Sequence, residues 1–280
     1  MAASLEQSNS PSSKYKPASV LEATVIGIFG FVFGTVLSIA VLLLLGVAGV
    51  GLTITSVIIV SLVFTQGIGF GAVALLYVQY RDAVVTSLQS KVGHRWWLAQ
   101  SSLSIPVSVP SVRDLLLIGG GYIGTFIALI VASLALAATG VERGQQQITE
   151  IGIANPELIL LLIPLSILLV GPGEELLYRG VVQGRMRESF GAVGAILLAS
   201  AIFAGIHYFG VDGDAVARLA TVAVLFVPSI VFGVLYELSE NIVVPSLVHG
   251  LFNATQFAGL YAITQLDEIP DAAMLLFYFA

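Results

Sequence analysis

The chain has 280 residues, 57% of them hydrophobic and only 10% charged, where an ordinary soluble domain carries roughly 25% charge; with a mean hydropathy of +0.99, a water-soluble globule is excluded. There is no cysteine, which removes a disulfide framework, a thiol nucleophile and any Cys-ligated zinc or iron-sulfur centre. The net charge is -6 and no basic cluster is present, so a nucleic-acid surface is excluded as well.

Residues 1–20 are rich in Ser and Pro, lack an apolar run, and read as a disordered cytoplasmic tail. From Ala23 to Tyr80 no acidic or basic residue occurs, and about 20 apolar residues suffice to cross a bilayer. That run predicts two membrane helices joined by a turn near Gly46 to Gly51. A third uncharged run covers Leu115 to Val141, and a fourth goes from Leu158 to Gly173 before it meets charge. Three more run from Ser189 to Ile206, from Leu219 to Tyr236 and from Asn241 to Leu266. The expectation is an all-α, polytopic transmembrane helix bundle of about seven spans, with a site between its helices. Residues 21–155 form amino-terminal membrane helices and a cytoplasmic connector, 156–263 a core, and 264–280 a short final segment that is apolar but too brief to cross. In the connector, His94, Arg95, Trp96 and Trp97 resemble an interfacial anchor. Gly27, Gly30 and Gly34, spaced three and four apart, predict close helix packing.

Lys and Arg set the orientation. With the amino terminus cytoplasmic, the inner segments hold Lys14, Lys16, Arg81, Lys91, Arg95, Arg113, Arg185 and Arg187, whereas the outer ones hold Arg143 and Arg218.

Charge inside a span is costly, about 2.5–3.5 kcal/mol per residue on insertion scales, and calls for a reason. The fourth span carries Glu174, Glu175 and Arg179 in GPGEELLYRG. Glu175 and Arg179, four apart with the acid first, predict an ion pair on one helix face; Glu174 points about 100° away and is left without a partner on its helix. His207 ends the fifth span, and His249 and Asn253 share one face of the seventh. A hairpin of spans four and five, turning between Phe190 and Gly191, brings Glu174 and His207 to one height. All four polar groups could then meet in one cavity, expected to open toward the cytoplasm. A carboxylate, two imidazoles and a carboxamide suit activation of water. They equally suit a zinc ion with an open position, held by His207 and His249; residue types do not separate the two chemistries.

These motifs resemble the CPBP family of intramembrane proteases, which includes the type II CAAX prenyl endopeptidases and abortive-infection-type membrane proteins. Its pattern is a Glu-Glu pair followed by Arg, then Phe-x-x-x-His, then His-x-x-x-Asn. Here it falls on Glu174, Glu175 and Arg179, on Phe203 and His207, and on His249 and Asn253, within Pro156 to Ile263. The resemblance implies an endopeptidase acting on membrane-associated, including lipidated, protein substrates. Glu174 would be the water-activating base; His207, His249 and Asn253 would position the water and stabilise the oxyanion, with Glu175 and Arg179 in support. The family is often labelled metalloprotease, but neither it nor this chain carries His-Glu-x-x-His. Two rivals stand beside it: a proton- or cation-coupled transporter using Glu174, His207 and His249 as a relay, and a catalytically inactive membrane scaffold. Membrane lipids are partners in each case.

Overall fold

A computed structural model describes residues 16–92 and 103–266. The tail up to residue 15, the anchor at His94, Arg95, Trp96 and Trp97, and the final segment from residue 267 lie outside the described residues.

Eight helices account for nearly all of the described chain. α1 (Lys16–Val47) starts five residues earlier than the proposed tail allows. Pro17 sits in its first turn, where a missing N–H costs nothing, and buried Ser19 hydrogen-bonds Ser189 and Arg185; that anchorage makes 16–20 helix rather than tail. After the turn at Gly49, whose φ is +78°, α2 begins at Ile54 under a capping box of Thr53 and Ser56. It runs through a π-helical stretch, Leu62–Gly69, and on through Phe70–Val92. α3 (Val112–Ala137) starts at a second capping box, Ser111 with Asp114. A short strand β1 (Gln145–Gln146) and helix α4 (Gln147–Ala154) lead into α5.

α5 spans residues 156–187. Pro164 lies in its interior and Pro172 farther along, and two π-helical stretches, Ser166–Val170 and Leu176–Gln183, accommodate the irregular hydrogen bonding. Between them a single α-helical turn, Gly171–Glu175, carries the two glutamates. α6 (Ala192–Ile206) returns, and a 3-10 turn at His207–Gly210 leads to β2 (Val211–Asp212), which pairs antiparallel with β1. α7 (Ala215–Ser239) is capped by Asp214 and stops at Glu240 in the left-handed region, φ 50°. α8 (Val243–Thr264) completes the bundle.

Among the described residues six helices are long and apolar enough to cross a membrane. Their outer surfaces carry exposed Val25, Phe29, Val36, Leu116, Ile123 and Leu134, the apolar face a bilayer requires. The seventh expected span forms as α8 but is not among the six, because His249, Asn253 and Gln256 dilute its hydropathy. It is instead the inner helix, with Val244, Val248 and Phe252 packed on α3 and α7, and Phe257 and Leu260 packed on α5. Close approach is built on glycine. Gly171 and Gly250 bring α5 and α8 together, where a Cβ at Gly171 would stand 2.5 Å from the Ser246 carbonyl oxygen, and a Cβ at Gly173 would overlap the Gln66 carbonyl oxygen of α2. Gly34 likewise presses on Thr65, as the small-residue spacing in α1 predicts.

All basic side chains named for the inner segments that are described fall at one end of the bundle. There Arg185 bonds Glu22 at 2.6 Å and Glu188 at 2.9 Å, and Arg81 bonds Glu188 at 2.7 Å. This network ties α1, α2 and α5 together at the end where α1 begins.

Candidate active site

Glu175 and Arg179 form the expected i,i+4 ion pair, Nε to Oε2 3.0 Å, with neither side chain exposed. Burial of such a pair is tolerated only when the remaining donors are satisfied. Arg179 donates to Ser229 Oγ at 2.8 Å and to Ser200 Oγ at 3.4 Å, and its guanidinium lies over the Phe203 ring at 5.4 Å. One side chain therefore links α5 to α6 and α7.

Glu175 has a second role that motif spacing alone does not reveal. His249 Nδ1–H donates to Glu175 Oε1 at 2.9 Å, while His249 Nε2 faces Glu174 Oε2 at 3.7 Å. The imidazole stacks on Phe232 (4.6 Å between centroids, 17° between planes) and meets the edge of Phe203. A carboxylate on one ring nitrogen fixes the tautomer and aims the other nitrogen. His207 is held similarly: its Nδ1–H donates to the Phe203 carbonyl at 2.9 Å, which leaves Nε2 as the nitrogen free to act as acceptor.

Glu174, His207, His249 and Asn253 all line one cavity of about 240 Å³, so the structure brings the four expected residues together. The α5–α6 hairpin turns at Ser189–Gly191, as the spacing requires. The 3.7 Å gap between Glu174 and His249 is too long for a direct hydrogen bond and suits a bridging water. The cavity extends from Glu174 past Leu162 and Phe257 to Ile58, Gln146 and Ile148, toward the end bearing β1, β2 and α4, away from the basic end where α1 begins. The hairpin argument fixed relative heights but carried no information on which end stayed unfilled.

The arrangement does not fit a zinc ion. Among the described residues no three His, Asp or Glu side chains are grouped closely enough to hold a metal. No step is therefore routed through a metal.

One lining residue was missed by sequence reasoning. Gln66, in the π-helical stretch of α2, reaches the cavity, and its buried Oε1 has no hydrogen-bond partner. A carboxamide, one of two in the run 23–80 that has no acidic or basic residue, was the available signal.

Residues 156–255 match the family described as type II CAAX prenyl endopeptidase Rce1-like. The match over this core supports CPBP family membership. No curated protein and no solved structure matches the chain. The matched region comprises α5, α6, α7 and the first half of α8, and it contains Glu174, His207, His249 and Asn253 together with the ion pair. The family is one of membrane-embedded proteases, in keeping with a multi-pass membrane protein. Gln66 and the β1 strand stand outside the CPBP match and complete the cavity from the amino-terminal half.

Proposed function

We propose that the chain is an intramembrane endopeptidase that hydrolyses a peptide bond of a membrane-associated, including lipid-modified, protein by water activated at Glu174. The observation that carries this reading is the convergence of Glu174, His207, His249 and Asn253 on one cavity within the bundle. Glu174 takes the proton of a water seated between it and His249 as the water oxygen attacks the scissile carbonyl. The Asn253 carboxamide donates to the developing oxyanion, which matters most in a water-poor site, and the Nε2 of His249, oriented by Glu175, faces the same water. His207, fixed by the Phe203 carbonyl, holds the water through Nε2. Glu174 then returns the proton to the leaving amine, so one carboxyl group serves both halves of the reaction. Glu175 and Arg179 act through His249 and through the packing of α5, not on substrate.

The distribution of Lys and Arg supports a cytoplasmic amino terminus. The test of the function is cleavage of a panel of membrane-associated peptides by detergent-purified wild type and Glu174→Gln. The reading expects cleavage by the wild type, retained in a zinc chelator, and none by the variant. Ion flux through reconstituted wild type without cleavage of any peptide would overturn it.

A further inference from the structure

The mechanism leaves one polar group of the cavity without a task. Among the described residues that line the cavity, Gln66 holds the one buried side-chain oxygen without a hydrogen-bond partner, its Oε1. A polar neighbour in the lining is already committed: Ser166 donates to the Leu162 carbonyl at 2.7 Å. A buried acceptor left open is uncommon in a folded chain and destabilises it, so Gln66 is suited to a partner that arrives with the substrate.

The backbone that carries Gln66 is fixed from two sides. On one, Gly173 lets the turn of α5 that bears Glu174 close onto the Gln66 carbonyl, which a Cβ there would overlap. On the other, Gly34 of α1 meets Thr65, where a Cβ would stand 2.8 Å from the Thr65 Cα, and Thr65 Oγ1 shares a 2.8 Å hydrogen bond with Ser38 Oγ. Gly69 closes the same stretch against Gly34, where a Cβ would stand 2.6 Å from the Gly34 Cα. Together these contacts hold the π-helical stretch Leu62–Gly69, and such stretches are rare and recur at functional sites. The carboxamide is thus carried by backbone that α1 and α5 hold in place, in contact with the residue before Glu174.

A second carboxamide in the chain shows what such a group does beside a free stretch of main chain. Asn241 Oδ1 accepts the Ser108 N–H at 3.1 Å, and its Nδ2 donates to the Ser108 carbonyl at 3.0 Å, so one side chain grips one residue of the non-helical segment 103–111 at two points. Gln66 carries the same donor and acceptor.

We infer that Gln66 grips one residue of the substrate main chain in this two-point manner, Oε1 accepting its N–H and Nε2 donating to its carbonyl, and thereby sets which peptide bond is brought to Glu174; the occupant rests on the peptidase reading. A grip on main chain selects an extended segment, whose N–H and C=O are not already paired within a helix, and is indifferent to most side chains. Proline at the gripped position is excluded, because it has no N–H. Gln66 lies outside the matched residues 156–255, so the amino-terminal half supplies this contact.

The test uses a peptide cleaved by the detergent-purified full chain, remade with a single backbone ester at each position in turn outside the scissile bond. Each ester deletes one N–H and keeps every side chain. Wild type and Gln66→Leu are compared on the whole set, with thermal unfolding to show that the variant is folded. At one position the ester is expected to lower kcat/KM of the wild type about tenfold, the size of one hydrogen bond between neutral groups, chiefly through KM. Gln66→Leu is expected to lose about as much on the all-amide peptide and to be indifferent to that one ester. Losses from variant and ester that multiply at every position, or wild-type rates that no ester changes, would overturn the inference. If Gln66→Leu fails to fold, Gln66→Met, unbranched and without a hydrogen-bonding carboxamide, makes the same comparison. Cleavage with multiplying losses removes the grip and leaves the peptidase reading intact, whereas a wild type that cleaves no peptide removes both.

Discussion

Replacing Glu175 with glutamine removes one charge from a pair closed off from water. Arg179 Nε lies 3.0 Å from Glu175 Oε2 with both side chains 0% exposed. At that distance the gross attraction is about 5.5 kcal/mol for an effective dielectric constant of about 20, and desolvation of both ions offsets much of it. Taking away one partner does not recover that desolvation, and leaving a buried charge uncompensated costs about 3–5 kcal/mol. The two halves are not equivalent. A guanidinium does not shed its proton in a protein, whereas Glu175 without Arg179 still has the His249 Nδ1–H at 2.9 Å. Glu175→Gln is therefore expected to destabilise more than Arg179→Met. The double variant is expected to cost less than the two singles summed, with a coupling of roughly 2 kcal/mol or more. Equilibrium unfolding in mixed micelles, followed by circular dichroism, measures all four corners of the cycle. Single losses below about 1 kcal/mol that simply add, as for an exposed pair, would refute the placement of this pair in the core.

Glycine contacts separate costly positions from free ones. Gly173→Ala is expected to destabilise by about 1–3 kcal/mol or more and to lower cleavage, because its Cβ would overlap the Gln66 backbone carbonyl beside Glu174, whereas Gly119→Ala meets nothing within 4 Å and is expected to be neutral; thermal unfolding of the two variants side by side checks the contrast. Gln66→Leu removes a buried oxygen without a partner and is expected to leave stability equal or raised while KM for a cleaved peptide rises, since the carboxamide is then lost as a contact for the substrate backbone; unchanged kinetics would remove Gln66 from the site. His249→Ala is expected to abolish cleavage, and Glu175→Asp, which retracts the carboxylate from Nδ1, to reduce kcat more than it changes KM. Arg185→Met is expected to loosen the contact of α1 with α5, read as faster proteolysis of α1, because Glu22 and Glu188 each lose one of their two arginine partners and keep only Arg81.

Local patterns were legible wherever chemistry is carried by spacing. The uncharged run at 23–80 foretold α1, the Gly-rich turn and α2, and the separation of 33 residues between Glu174 and His207 foretold their common height, since the hairpin turns at their midpoint. The Glu175 and Arg179 pair followed from i,i+4 spacing. The contact of Glu175 with His249 joins helices 74 residues apart, and it depends on how α8 is rotated against α5, which Gly171 and Gly250 decide by permitting backbone contact. The filling of one end of the bundle was not legible because it is done by the segment from Leu103. That segment reads as a solvated connector in sequence, yet it inserts Leu103 and Ile105 against two glycines of α5. Helix start positions erred similarly at α1, where Ser19 looks like tail composition but is buried against Ser189.

The most direct test of Glu174 as a general base is one turnover of a cleaved peptide in water enriched in oxygen-18, with mass analysis of the product and of the fragment containing Glu174. The mechanism requires the heavy oxygen in the new carboxyl terminus and none in Glu174, with no product from Glu174→Gln. Heavy oxygen in the Glu174 side chain would mean that the carboxylate attacks the peptide itself, and cleavage by Glu174→Gln would mean that the water is activated elsewhere; either result contradicts the account.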